Sequence, residues 1–358
     1  MRAAVLHGQE DVRIEEVDVP RLAPGDVLLR TSVALTCGTD VKVYRRGYHA
    51  RMIVPPALFG HEIAGVIEAV GAGVEGFRPG ERVVAANSAP CGSCEYCRAG
   101  RPSLCDDLLF WNGAYAQFAR IPARVVRTNL LHIPAGVSDQ RAALVEPLAC
   151  VLRGSASVRS GDSVAVLGTG AIGLMFLLLA RARGARVVAV GRRRDKLERA
   201  RRLGADAVVQ AGSDVALEEV LIEHSPDGRG FHLVVEAAGQ QETSQAALGA
   251  VRKGGLVNLF AGCAAGIEIG LDAPRIHYEE ITVTATFHHT PDTVREALRL
   301  VGDPGFDADA LVTGREPLDR LPAVLEAMAR GGESLKTAVV PWPDAASASW
   351  RSSSSSTS

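Results

Sequence analysis

A chain of 358 residues with 39 Lys and Arg against 41 Asp and Glu carries a formal charge of −2, so no global positive field draws in nucleic acid. The 47% hydrophobic content and 37 glycines exclude a disordered or fibrous chain and fit a well-buried α/β protein, and the length favours two domains. The longest apolar run, Leu174 to Ala180, falls far short of the roughly 18 residues of a membrane-spanning helix.

The chain starts Met1-Arg2-Ala3-Ala4-Val5, with no apolar core followed by a small-residue cleavage site, so a cytoplasmic protein with reduced cysteines is expected, with neither membrane nor nucleic acid as partner. Residues 1 to about 145 read as short strands and turns. Val27 to Arg30 and Ile63 to Val70 are β-rich, and Pro24-Gly25 and Pro79-Gly80 punctuate them. Within this region lie Cys37-Gly38-Thr39-Asp40 and Gly60-His61-Glu62, and near its end Glu146-Pro147. One thiolate, one imidazole and two carboxylates are the ligand types of a catalytic zinc, which needs three protein ligands and one open position. Each residue alone is unremarkable, since a buried cysteine usually serves as a small apolar side chain.

Cys91, Cys94, Cys97 and Cys105 fall within 15 residues, bent by Gly92 and Gly100. Four thiolates at short spacing enclose a tetrahedral ion and leave no open position, so a structural zinc is expected here. An iron–sulfur cluster is the alternative, although the spacing is not that of the bacterial ferredoxin run.

From about residue 150 the pattern alternates between strand and helix. Ser163 to Leu167, Arg186 to Val190, Leu233 to Glu236 and Leu256 to Phe260 read as strands, and 171–183 and Asp195 to Leu203 as helices. Such alternation predicts a parallel sheet with helices on both faces. Between the first strand and helix stands Gly168-Thr169-Gly170-Ala171-Ile172-Gly173, a G-x-G-x-x-G turn in the context a dinucleotide site requires. Gly168 serves the tight turn, Gly170 the approach of a pyrophosphate and Gly173 the packing of helix on strand. The second strand ends in Gly191-Arg192-Arg193-Arg194 where a ribose-binding acid is usual. The missing acid and the arginines predict NADP(H) over NAD(H), and predict that Gly191→Asp with Arg192→Ala reverses the order. A plainer reading, in which the run to Arg202 with its Asp195 and Glu198 only solvates a helix face, stays open. Beyond residue 290, Thr293 to Val301 and Leu321 to Ala329 read as helices and Val339-Val340 as a last strand. The Ser/Thr tail Ser352–Ser358 is expected to be disordered.

These motifs together resemble the zinc-containing medium-chain dehydrogenase/reductase family. Its carriers are Cys37-Gly38-Thr39-Asp40, Gly60-His61-Glu62-x2-Gly65, the Cys91–Cys105 lobe, Glu146-Pro147-Leu148 and the Gly168–Gly173 turn. Ala143 to Leu148 looks like the polyol (sorbitol) dehydrogenase and ketose reductase branch. The resemblance implies a β-rich GroES-like catalytic domain of residues 1–148 and 291–345, a Rossmann domain of 149–290 inserted in it, and a tail of 346–358. It implies two zinc ions per chain and a homodimer or homotetramer. Cys37 and His61 would bind the catalytic zinc, with Glu62 a direct or exchanging ligand and Glu146 a ligand or near neighbour. Asp40 would orient His61, Thr39 would meet the substrate oxygen, and Arg192 and Lys196 would match the positions that hold the 2′-phosphate. The expected reaction is hydride transfer between a secondary alcohol of a polyol, cyclitol or amino-polyol and the nicotinamide. A simple secondary-alcohol or threonine-type dehydrogenase is one rival, and a non-catalytic nicotinamide-binding protein another.

Two departures stand out. Phe287-His288-His289-Thr290 replaces the Phe-Arg-Tyr usual in polyol dehydrogenases, and the proton-relay histidine of ethanol-type enzymes is missing, with Lys42 and Tyr44 nearby. Tyr44, Phe110, Trp111, Phe287 and His288 are candidate substrate-pocket residues; ordinary core packing is the competing reading for each aromatic.

Overall fold

The computed structural model describes residues 1–49, 52–212 and 216–342. The Ser/Thr tail lies outside the described residues. The chain forms two compact units. The first comprises Met1–Ala89, Leu109–Ala143 and the described residues from Val312 onward; the second comprises Pro90–Leu108 and Leu144–Leu311.

In the first unit the long strand Val27–Leu35 is the hub of a seven-stranded sheet. It pairs antiparallel with Glu62–Val70, with Phe118–Ile121 and with the last strand, Lys336–Val340. Leu29, Ile63, Ile67, Val83, Ile121 and Val339 point into one apolar core with Phe59 and Leu321, and that burial fixes the strand register. The register is what assembles the site. Leu35 stands opposite both Glu62 and Ala338, so the chain just after Leu35, the chain just before Glu62 and the start of the last strand meet at one sheet end.

In the second unit six parallel strands follow the order Ala207–Gln210, Arg186–Gly191, Ser163–Leu167, Phe231–Glu236, Val251–Leu259 and Thr282–Ala285. In chain order this is 3-2-1-4-5-6, the doubly wound arrangement whose ligand crevice opens at the carboxyl ends where the order reverses. The helices Ala171–Ala182 and Arg194–Arg202 fall where the alternation of strand and helix placed them, within one residue at each end. The helix Pro291–Val301 packs against Val145–Gly154, and this unit runs on to Leu311, past the edge at 290 that the resemblance implies. Among the described residues no helix is long and apolar enough to cross a membrane.

Candidate metal centres and dinucleotide site

Cys37 is the N-cap of the helix Gly38–Arg46. Its Sγ accepts from Thr39 N at 3.4 Å, while Asp40 Oδ2 accepts from Cys37 N at 2.9 Å, a reciprocal capping box. The other oxygen, Asp40 Oδ1, lies 3.1 Å from His61 Nδ1. The Tyr115 hydroxyl donates to Asp40 Oδ2 at 2.6 Å and lies 3.0 Å from the Leu35 carbonyl. One buried carboxylate thus fixes the helix start and the imidazole together, and Nε2 of His61 is left to face a ligand. Gly60, before His61, has φ +90°, and a Cβ there would lie 2.5 Å from the Tyr115 ring, so the Gly-His-Glu turn needs glycine for both conformation and space.

One donor atom from each of Cys37, His61 and Glu62 lies within 4.8 Å of the others. Burial pushes the Cys37 thiol up, but the hydrogen bond with His61 and the charge of Lys336 outweigh it and bring the group down to about 7. Burial opposes charge on His61 too, yet Asp40 and Cys37 hold it well above the usual imidazole value. Glu62 is fully buried, and burial pushes its carboxyl up to about 8. The opposing force is Lys336, whose Nζ donates to both Glu62 oxygens at 2.6 Å and to the Thr36 carbonyl at 3.1 Å. A thiol that ionises readily, an imidazole oriented through its far nitrogen and a buried carboxylate fit a divalent zinc.

The second unit carries two further donor groups. Cys91, Cys94, Cys97 and Cys105 offer four Sγ atoms within 4.8 Å of one another, and Cys91 and Cys97 are 4.0 Å apart. The tetrahedron edge for zinc–sulfur bonds is ~3.8 Å by geometry. Ser93 N and Cys94 N donate to Cys91 Sγ at 3.4 and 3.3 Å, and Cys91 N to Cys105 Sγ at 3.2 Å. The first two amides bring Cys91 down to about 6, so the loop backbone itself favours thiolates. Cys94→Ala should lower the zinc content of purified protein by one ion per chain and the melting temperature with it, because structural zinc binding is coupled to folding free energy. Retention of that ion would remove this group from the metal sites.

Glu146, in the first turn of Val145–Gly154, gathers with His288 and His289 within the same 4.8 Å limit. Arg153 of that helix donates to the carbonyls of Phe287 and His288, and His288 takes φ +68°. The donor group of the first unit consists of Cys37, His61 and Glu62, so the four-residue set read from the sequence is divided between units, and the two histidines beside Glu146 enter from Phe287-His288-His289.

The dinucleotide turn is built as its glycines require. Gly168 has φ +117°, and a Cβ at Gly173 would lie 1.7 Å from the Gly168 carbonyl oxygen, so helix and turn are in contact. A Cβ on Gly170 would meet nothing within 4 Å, and the helix Ala171–Ala182 has no side-chain cap. Its first-turn amides, those of Ala171 and Ile172 included, are thus not capped by a side chain of Gly170, as phosphate binding needs. At the end of the next strand Arg192 is exposed and Arg193 is engaged by Asp195 at 2.8 Å. Lys196 is half-buried, and burial, followed by the charge of Arg193, lowers its pKa.

Of the pocket candidates, Tyr44 and Trp111 are buried in the core of the first unit, and Trp111 Nε1 donates to the Ala86 carbonyl at 2.8 Å. Phe110 is half-buried on a short strand, Phe287 is 46% exposed and His288 half-buried. Sequence reasoning missed Lys336, Tyr115 and His289. Lys336 left one trace: a lone charge heading the apolar run that ends at Val340.

Two family models match this chain, the alcohol dehydrogenase GroES-like domain over residues 23–134 and the zinc-binding dehydrogenase domain over 171–303. It is 32% identical over 351 residues to the sorbitol dehydrogenase of Bacillus subtilis (strain 168), covering 95% of this chain and 97% of the relative. It is 31% identical over 343 residues to the L-threonine 3-dehydrogenase of Pyrococcus abyssi (strain GE5 / Orsay), covering 92% and 95%. Its fold superposes with a TM-score of 0.85 on a zinc-binding dehydrogenase from Sinorhizobium meliloti 1021 bound to NADP, at 28% identity and covering 95% and 99% of the two chains. The motifs, the two folds and these likenesses agree: the chain belongs to the zinc-containing medium-chain dehydrogenase/reductase family, near its polyol dehydrogenases, and is an oxidoreductase acting on CH–OH groups.

Proposed function

We propose that this enzyme interconverts a secondary alcohol of a polyol, cyclitol or amino-polyol and the corresponding ketone, with NADP(H) preferred and with one catalytic and one structural zinc. The observation that carries the reading is the Cys37–His61–Glu62 donor group, braced by Asp40 on one side and Lys336 on the other. Its resemblance to sorbitol dehydrogenase supports the substrate class.

Bound there, zinc supplies Lewis acidity toward the substrate oxygen, and the nicotinamide supplies the hydride acceptor or donor. The protein does the rest. Cys37 and His61 would hold the ion, and Asp40 keeps His61 in the tautomer that presents Nε2. Lys336 holds the Glu62 carboxylate in place as a direct or exchanging ligand. Thr39, half-buried two residues after Cys37, carries the hydroxyl we assign to accepting and passing on the alcohol proton. The Gly168–Gly173 turn holds the pyrophosphate.

A panel of polyols, cyclitols, amino alcohols, threonine and simple secondary alcohols, each run with both cofactors, tests the substrate class. Turnover of polyhydroxylated substrates by at least tenfold over the others is expected. Activity confined to threonine would favour the second reading, to which the 31% identity with L-threonine 3-dehydrogenase gives a specific basis.

NADP(H) preference follows from charge. Arginine grips a phosphate with charge-assisted hydrogen bonds worth about 1.5–3 kcal/mol each, or roughly tenfold to hundredfold. Arg192 is exposed, so salt trims the gap. Binding of NADPH should exceed that of NADH by about tenfold or more at low ionic strength, with the ratio falling as salt rises. Equal affinities at low salt would assign the arginines to solvation alone. The same proposal includes a homodimer or homotetramer in the cytoplasm; sedimentation velocity showing a monomer at working concentration would remove the first part.

A further inference from the structure

Gly191 ends the strand Arg186–Gly191 where a carboxylate would hold both hydroxyls of the adenosine ribose. Its backbone is ordinary, with no left-handed φ, so conformation does not demand glycine there. Space does. A Cβ at position 191 would lie 2.2 Å from Thr169 Oγ1, 3.1 Å from Thr169 Cγ2 and 3.2 Å from Thr169 Cβ. Thr169 is the second residue of the dinucleotide turn and is 6% exposed. The turn is tied down over the strand end: Gly168 N donates to the Val190 carbonyl at 2.8 Å, and Ala211 N to that of Gly191 at 2.9 Å. Rotation of the threonine about χ1 relieves the 2.2 Å contact but leaves position 191 crowded, so Thr169 must still give by a few tenths of an ångström. A rotamer that turns its hydrogen toward Gly191 leaves Cβ at 3.2 Å and refills the position now held by Cγ2 at 3.1 Å, both inside the 3.4–4 Å of ordinary contact.

We infer that Thr169 is a cofactor-specificity residue: its side chain occupies the room a ribose-binding acid at position 191 would need, so the glycine-rich turn itself excludes the carboxylate that selects NAD(H). The inference rests on the proposed NADP(H) preference for its functional meaning. Arg192 and Lys196 supply attraction for a 2′-phosphate, and Thr169 removes the competing solution by sterics. Specificity of this kind combines a favourable contact with an obstacle to the alternative. The exchange suggested by sequence alone, Gly191→Asp with Arg192→Ala, is therefore incomplete, because the new aspartate displaces the Thr169 side chain and stays crowded by it whatever stands at 192.

The test is a double-mutant cycle on the full chain with Thr169→Ala, Gly191→Asp and the pair, reading the melting temperature without cofactor and the Kd of NADPH and of NADH by nicotinamide fluorescence. Gly191→Asp alone should melt several degrees below wild type and bind both dinucleotides at least tenfold more weakly. Adding Thr169→Ala should return the melting temperature to that of Thr169→Ala alone and tighten NADH at least tenfold relative to the Gly191→Asp single variant. The inference is overturned if Gly191→Asp alone melts with the wild type and binds NADH as tightly as the pair. A wild type with equal affinity for both cofactors would instead defeat the proposed preference, while the melting cycle still decides whether Thr169 and position 191 compete for one space.

Discussion

His61→Ala should lower kcat about a thousandfold and remove one zinc ion per chain while leaving the protein folded. A Lewis-acidic metal contributes several kcal/mol of transition-state stabilisation, and each 1.36 kcal/mol is tenfold in rate, which sets the scale. His61 is 5% exposed and its ring is fixed through Nδ1 by Asp40 at 3.1 Å, so the variant loses a donor held in place. The loss of the ring leaves Asp40 with the Tyr115 hydroxyl and Cys37 N, enough to keep the carboxylate solvated by hydrogen bonds and the helix start capped. Circular dichroism and elemental analysis of the variant separate the outcomes. A variant that keeps its second zinc and turns over within tenfold of wild type would take His61 out of the metal site.

Lys336→Ala should destabilise the first unit. The ammonium is 1% exposed and holds a fully buried carboxylate through two bonds of 2.6 Å. Without the ammonium the buried Glu62 carboxyl, already pushed up to about 8, takes up a proton and loses both bonds, so the cost is that of a buried polar group left without its partner, about 1–3 kcal/mol, or roughly 5 °C in melting temperature for a unit of this size. The pair replaced as a whole, Lys336→Met with Glu62→Gln, should recover part of that loss, because no buried carboxylate then has to be neutralised. Thermal melts of the single and double variants decide it. If Lys336→Ala melts within 2 °C of wild type, taken as roughly 1 kcal/mol, the pair does not hold the sheet end together.

Much of this was legible from local pattern. Gly168-Thr169-Gly170-Ala171-Ile172-Gly173 between an apolar strand and an apolar helix determines a strand, a turn and a helix start with no long-range information. Cys91, Cys94, Cys97 and Cys105 are close in space because they are close in sequence. Cys37 and His61 were legible only as a combination, since what joins them is the pairing of Leu35 with Glu62 across the sheet. Lys336 lies 274 residues from Glu62, and no local period marks it. It reaches the site because Ala338 also pairs with Leu35, a register set by burial of Ala338 and Val339 in the core. Tyr115 acts through one hydroxyl on Asp40, and a tyrosine amid Gly113, Ala114 and Ala116 carries no pattern that separates it from ordinary core. The glycine motif gives no role to Thr169, and only its approach to Gly191 supplies one. Pocket reasoning from aromatic content was the weakest guide: Tyr44 and Trp111 turned out to be core residues because large side chains bury wherever the sheet leaves room.

The metal content of fully active enzyme bears most directly on the central claim. Elemental analysis after gel filtration should find two zinc ions per chain, with one removed by a chelator in parallel with loss of turnover and restored, together with activity, by added zinc. Fully active enzyme that holds no zinc or other bound metal would contradict the account.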